Sequence, residues 1–549
     1  MRNMFKSAFA LILAMLVILP LCVLPMAAVT TNDEIVDSYI YNFYGEPVDA
    51  PVAYAHIKTL GADDVGADIL TYEPVDLFQR NGYVYVLDRG GNQIIVLDEN
   101  YKVTKTIRSL KNSPATAEDP GYTIPELNKN KYDALGNASI DPEMTAANAY
   151  SFNYPSGIYV TEDGLIYVAD TNNRRVVVCD INGYVKQVYQ SVKVSVLGKS
   201  YIFKPLKLIV DRAGGMQVIA YAVNRGIMEL DNTGVFTNFV GAPKVEMNPM
   251  DWFWRMLATE EQRKKLVTYV PTEYNNISQD YRGFMYVTIS AIDSASLVSA
   301  AVGKTDPDTA PVSKLNTSGI DILRRNGIFP VIGDLDFTLE TTPQIVDAAA
   351  YDNGCFTILD QRSGRFFVYD NDCNLIFISG GKGSQQGRTS TPYSIVINGD
   401  HVVVSDVGSR SIVIYEMTDY AKTVFSALDS HIAGDYDVSS DYWKEVIAYN
   451  SNMYIAYIGL GKAEMRTAMT LYYDDSRLEH YQNALDYFEV ANETTYYSQA
   501  FKELQRASME ENFALIAISI IVLVVGLFVL YFVLKTRKSK RRKKKGGRR

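Results

Sequence analysis

The chain has 549 residues, more than one hydrophobic core usually serves, so at least two folded parts are expected. At 47% hydrophobic and 21% charged it is neither a largely disordered nor a collagen-like chain. Four cysteines and four scattered histidines exclude a disulfide scaffold and argue against a multi-cysteine zinc site or histidine-rich metal catalysis.

Arg2 and Lys6 precede an apolar run from Phe9 to Leu24, followed by Pro25, Met26, Ala27 and Ala28. That order of charge, apolar core and small residues predicts a signal peptide over 1–28. Leu21 before Cys22 is too bulky for a lipoprotein cleavage site.

A repeat occupies the next two thirds. Its clearest unit starts at Pro155 and continues through Gly164, Asp170, Asn172, Arg174, Asp180 and Gly183, with β-rich runs between the turn residues. Gly164 to Asp170 is six residues and Asp170 to Asp180 is ten; Gly82, Asp88 and Asp98 keep both intervals, as do Gly354, Asp360 and Asp370. Asp400, Asp406 and Glu416 keep them with Asp for the glycine, and Gly215, Tyr221 and Asp231 lose the middle acid. A sixth copy begins at Gly283, its third strand displaced to about Val312–Asn316. Six units, beginning near Pro74, Pro155, Pro205, Gln279, Pro343 and Pro392, predict a six-bladed β-propeller over 29–425, a mainly β fold. The last unit lacks a fourth strand, and Tyr54–Leu60 has the alternation to supply it and close the ring.

The pattern of proline, small-x-strand, Gly-strand-Asp and Asn-x-Arg-strand-Asp resembles the NHL repeat, best at Pro155–Gly183 and well at Pro74–Asp98 and Pro343–Asp370. The resemblance covers roughly residues 50–425. It implies a six-bladed propeller used mainly as a binding platform. Six-bladed propellers of this kind also include calcium-dependent lactonases, which centre the metal on acid and amide ligands facing the tunnel. Glu73, Asp76, Asn153 and Asp347, near the blade starts, are the candidates for such a set. A zinc-dependent propeller lyase would need inward histidines that this chain scarcely has. The in-phase acids Asp88, Asp170, Asp360 and Asp406 are read as structural, since a catalytic acid should occur once. A carboxylate at a strand–turn boundary accepts turn amides and pairs with a nearby arginine, here next to Asn92, Arg174, Arg365 or Arg410.

Two insertions interrupt the period, a loop at about 111–150 and a helix-like stretch at about 243–275. The second carries Trp252, Trp254 and Arg255, residue types common at interface hot spots; it is either a docking knob or lid, or a helix packed on the rim. Cys355 and Cys373 lie in one unit and could pair, although spacing alone does not fix connectivity. Cys179 lies in an apolar strand and reads as core, and Gly380-Gly381-Lys382-Gly383 as a turn rather than a phosphate cradle.

After about 430 the texture becomes helical. Tyr481, Ala484, Phe488 and Ala491 follow the aromatic–small spacing of a tetratricopeptide second helix, which predicts a degenerate tetratricopeptide-like stalk over 430–511 leaning on the propeller. Ala514–Leu534 is 21 residues without a charge, enough to cross ~30 Å of hydrocarbon at ~1.5 Å per residue. Eleven Lys or Arg follow in 535–549, a tail expected to stay cytoplasmic. Taking those and the two N-terminal basic residues off the total of −10 leaves −23 for 29–534, which excludes nucleic acid as a partner of that part.

These features together predict a single-pass type I protein of a bacterial cell envelope, with propeller and stalk outside the membrane. Its expected job is recognition of a protein or glycan, without a required cofactor. The alternatives are a calcium-dependent lactonase-like hydrolase on the same propeller, and an assembly factor for a membrane transporter complex.

Overall fold

The computed structural model describes residues 38–546, apart from 117–118, 134, 242–272, 293, 302–309, 336, 338–340 and 472–475. The predicted signal peptide and the Trp252–Arg255 stretch lie outside the described residues.

Six antiparallel sheets follow one another along the chain. Blade 1 is Pro74–Arg80, Tyr83–Asp88, Gln93–Leu97 and Val103–Ile107, and blade 2 is Gly157–Val160, Ile166–Asp170, Arg175–Cys179 and Tyr184–Gln190. Blade 3 is Pro205–Val210, Met216–Ala220, Ile227–Leu230 and Phe236–Val240. Blade 4 has three described strands, Asn276–Gln279, Met285–Thr288 and Val312–Leu315, with helix α1 (Ser294–Ala301) in the connection that displaces the third. Blade 5 is Ile345–Ala350, Phe356–Asp360, Arg365–Tyr369 and Leu375–Gly380, and blade 6 is Pro392–Asn398, His401–Asp406 and Ser411–Met417. Tyr54–Leu60 completes blade 6 by pairing antiparallel with Ser411–Met417. The first strands of successive blades touch in a closed circuit, blade 6 against blade 1, so the sheets form a six-bladed β-propeller. Middle strands such as Ile166–Asp170 and Arg175–Cys179 are buried at every residue, because each sheet is covered on its two faces by its two neighbours.

The 111–150 insertion is not all loop. Lys111–Asn112 adds in parallel to the outer edge of blade 2, and Asn130–Tyr132 pairs with Ala138–Ile140. Arg174 is buried against Asp141 of this insertion. Cys179, Cys355 and Cys373 are buried free thiols, so the possible Cys355–Cys373 bridge is absent; the two sulfurs belong to separate hydrophobic clusters on the two sides of blade 5.

Helices follow the last blade strand at once: α2 (Asp419–Ala433), α3 (Tyr436–Tyr449), α4 (Tyr454–Thr470), α5 (Ser476–Val490), α6 (Thr494–Glu511) and α7 (Phe513–Gly546). Thr418 caps α2, its Oγ1 accepting from the Ala421 N–H, while its backbone N–H donates to Ala53 beside the ring-closing strand. From α2 to α6 each helix packs on the next. Their core is continuous with blades 5 and 6: Phe425 meets Tyr351, Tyr420 meets Phe377, and Lys462 of α4 pairs with Asp372 at 2.8 Å. Tyr351 follows the first strand of blade 5 and Asp372 lies in the turn between its third and fourth strands, so the helical layer covers the propeller face opposite to the one where inner strands begin. The residues Tyr481, Ala484, Phe488 and Ala491 are all buried in this layer. Helix α7 is fully exposed along an apolar stretch, Phe513–Lys538, with mean hydropathy 3.2, and is long and apolar enough to cross a membrane.

Candidate functional site

The inner strands are apolar runs interrupted at one position. In blades 1, 3, 5 and 6 the pairing with the second strand slips between Pro74 and Asp76, Pro205 and Lys207, Ile345 and Asp347, and Pro392 and Ser394. Such a bulge re-aims the next side chain, and the residue so placed is the polar one. All four are buried and their side chains converge on a single network.

Lys207 Nζ pairs with Asp76 Oδ1, and the Ile158 N–H of blade 2 donates to Asp76 Oδ2 at 2.8 Å. Asn276 of blade 4 donates its amide to Asp347 Oδ1, which also receives the Ala348 N–H at 2.7 Å. Asp347 Oδ2 accepts from Ser394 Oγ and the Ile395 N–H, both at 2.8 Å. Ser394 Oγ lies 3.3 Å from Asp76 Oδ1 as well, and accepts the Leu77 N–H at 3.2 Å. Every blade therefore contributes a group to one knot. Blade 2 contributes a backbone N–H because its equivalent residue is Gly157; a Cβ there would stand 2.5 Å from the Leu206 carbonyl oxygen.

Burial pushes both carboxyls up, against the pull of the Lys207 ammonium. Asp76 is raised, and Asp347, which also feels the charge on Asp76, is pushed up to about 6. The two acids share one ammonium in a site closed to water, so they hold protons more tightly than free carboxylates do.

Of the four candidate metal ligands, the fold brings together two. Asp76 and Asp347 meet at the axis; Glu73 instead pairs in two-pronged fashion with Arg89, and the Asn153 N–H donates to Asp170. All four oxygens of Asp76 and Asp347 already accept hydrogen bonds, and a tethered ammonium sits where a cation would. The donor set does not fit calcium, and among the described residues no three His, Cys, Asp or Glu side chains are grouped for a metal. Lys207 escaped the sequence reading, which looked for acids. Its signal was positional: Pro-Val-Asp, Pro-Leu-Lys and Pro-Tyr-Ser carry their polar residue two after the proline.

The in-phase acids lie where second strands end. Asp88 accepts the Glu73 and Gly91 N–H groups and the Gln93 amide; Asp170 accepts the Asn153 N–H, the Asn173 amide and Arg175 Nε at 2.8 Å. Asp360 accepts the N–H groups of Gln344, Arg362 and Ser363, and Asp406 those of Ser390, Thr391, Gly408 and Ser409. Each acid thus ties its turn to the segment leading into its own inner strand. The expected arginine partners need correction. The fourth residue after the acid is left-handed in all four turns (Asn92, Arg174, Gly364 and Arg410, φ 49–69°). That conformation swings Arg174 to Asp141 and Arg410 to the Ile69 carbonyl, while Arg365 pairs with Asp334. Only Arg175, one residue later and fully buried, reaches its repeat acid.

Around the mouth, on the face where inner strands begin, Arg89 stacks on Tyr154 at 4.5 Å and lies 5.8 Å from the Tyr393 ring, which also has Lys207 Nζ at 5.9 Å. Lys204 lies over Tyr221 at 5.9 Å. Tyr154 is 45% exposed and Tyr221 62%.

Residues 152–179 match the NHL repeat. The match covers the first three strands of blade 2, whose repeat the sequence shows most clearly. No curated protein sequence matches the chain. Among solved structures, virginiamycin B lyase from Staphylococcus aureus is 11% identical with a TM-score of 0.34, covering 66% of this chain and 99% of that one. A Bacteroides thetaiotaomicron protein of unknown function is 11% identical with a TM-score of 0.36, covering 69% and 76%. A candidate gluconolactonase is 9% identical with a TM-score of 0.35, covering 67% and 94%. The propeller rests on its own strand topology, and no chemistry is carried over from these proteins.

Proposed function

We propose that the chain is a membrane-tethered binding protein whose propeller recognises a protein or glycan on the face where the inner strands begin. The observation that carries this reading is the contrast between a filled axis and an aromatic rim. At the axis the chain's own ammonium, carboxylates and amides satisfy one another, while Tyr154 and Tyr221 stand exposed beside Arg89 and Lys204. Tyrosine and arginine are enriched among the residues that carry binding energy at interfaces, which suits recognition. The segment bearing Trp252, Trp254 and Arg255 leaves after Val240 and returns before Asn276, both at this same face. We assign those three residues to the contact as well.

In this reading the rigid ring supplies the platform and α7 the anchor, with residues 535–549 on the cytoplasmic side and the opposite propeller face turned to the helical layer. A glycan array and photo-crosslinking at the cell surface, run with the full chain, identify the ligand. Y154A/Y221A and W252A/W254A should each weaken the captured interaction at least tenfold. Retention of wild-type binding in both double variants removes this face as the site.

A further inference from the structure

Helices α6 and α7 are separated by one residue. Helix α6 ends at Glu511, Asn512 follows, and the apolar run begins at Phe513. One residue reaches at most ~3.6 Å, whereas the headgroup zone on each side of a bilayer is roughly 5–8 Å deep. On the reading that α7 spans the membrane, the last turn of α6 has no room to stand clear of the lipid.

The neighbours of that turn are fixed by the packing. Helices α4, α5 and α6 alternate in direction through short connections, and Arg477 at the start of α5 donates to Glu510 at the end of α6 at 3.1 Å. The C-terminus of α4 therefore lies at the same end of the layer. So does that of α2: α2 packs on α3 and α3 on α4 through turns of two and four residues, so α2 and α4 run in the same direction. Helix α3 starts from that end, with two residues between it and α2.

At this end α2, α3, α4, α6 and the start of α7 each expose an apolar side chain. Ile432 is 56% exposed, Val438 49%, Met469 42% and Met509 58%, with Phe513 at 70%. Exposed apolar groups gathered from separate helices mark a contact surface, and only one partner is held there by covalent continuity. We propose that this end of the helical layer is seated in the headgroup region of the bilayer, with Ile432, Val438, Met469 and Met509 as its lipid contacts. The occupant is a lipid surface, and the layer is a foot resting on the membrane rather than a stalk rising from it.

The test uses the full chain in phosphatidylcholine–phosphatidylglycerol nanodiscs carrying headgroup spin-labelled lipid, with a bimane fluorophore on M469C, M509C, V490C or L523C. Val490 is 65% exposed at the other end of α5, some 20 Å from Arg477 at ~1.5 Å per residue, and serves as the distant control. Quenching at 469 and 509 at least twofold above that at 490 is expected, with 523 also reached by an acyl-chain spin label. Quenching at 523 with 469 and 509 equal to 490 overturns the seated foot and leaves the span intact. No acyl-chain quenching at 523 overturns the span and the foot together. If M469C or M509C alters the thermal melt, I432C and V438C replace them with the same expected and overturning results.

Discussion

At the propeller axis six strands meet on Asp76, Lys207, Asn276, Asp347 and Ser394, all buried and all hydrogen-bonded across blades. In the helical layer aromatic rings pack on glycines: Trp443 lies on Gly459 and Phe488 on Gly461, where an added Cβ would stand 2.3 and 2.5 Å from ring carbons. Both regions bring backbones close, but a closed ring has an axis where strand bulges aim polar groups inward from every side, and these must satisfy one another. A layer of helices has no axis. It gains closeness by deleting side chains and filling the space with rings. Directional bonds therefore hold the blades in register, and shape holds the helices.

The contrast breaks most visibly at Lys207. Lys207→Met strands two buried carboxyls, and a loss of about 3–5 kcal/mol in urea unfolding is expected. Adding Asp76→Asn should recover more than half, because the uncompensated charge goes with it. In the helical layer, Gly461→Ala overpacks Phe488 and should cost about 1–3 kcal/mol. Hydrogen exchange should then quicken in α4 and α5 while the inner strands of blades 1–3 stay protected.

A smaller effect sharpens the electrostatic side. Asp347 is held up to about 6 in the fold, against an ordinary aspartate near 4. Between those values the folded chain keeps a proton that the unfolded chain releases. Its stabilising contribution is thus complete below about pH 4 and is lost as pH rises through 6. About 1 kcal/mol of the wild-type stability difference between pH 5 and pH 7 should vanish in Asp347→Asn. The smallest effect lies where the two regions join. Asp372→Asn removes the charge facing Lys462, a pair about one fifth exposed, and should cost about 0.5–1 kcal/mol, read as an earlier loss of helical signal on heating.

Much of the ring was legible because its turns are chemically expensive to vary. The intervals of six and ten between glycine and the two acids mark the blades, and the alternation of Tyr54–Leu60 marks the closing strand. Asp76 and Asp347 stood out as acids in apolar runs, but Lys207 did not, since their convergence depends on ring closure and not on distance along the chain. Glu73 and Asn153 look equivalent to them in sequence, yet both precede their inner strands: Glu73 pairs with Arg89, and the Asn153 N–H bonds to Asp170. The choice between Arg174 and Arg175 was likewise hidden. One left-handed residue decides which of two adjacent arginines enters the core. In the helical layer, the buried face of α5 was readable from its spacing, while its seating on blades 5 and 6 required Tyr351, Phe377 and Phe425 to be seen together.

The ring-closing pair has a consequence in time. Tyr54–Leu60 is made early, but its partner Ser411–Met417 leaves the ribosome about 350 residues later. At 5–20 residues per second that is a wait of roughly 20–70 s. Throughout it, the strand is an unpaired edge open to any other chain. Its own sequence suits that interval: His56 and Lys58 interrupt the apolar residues, and such a lysine disfavours pairing of an edge strand with other chains.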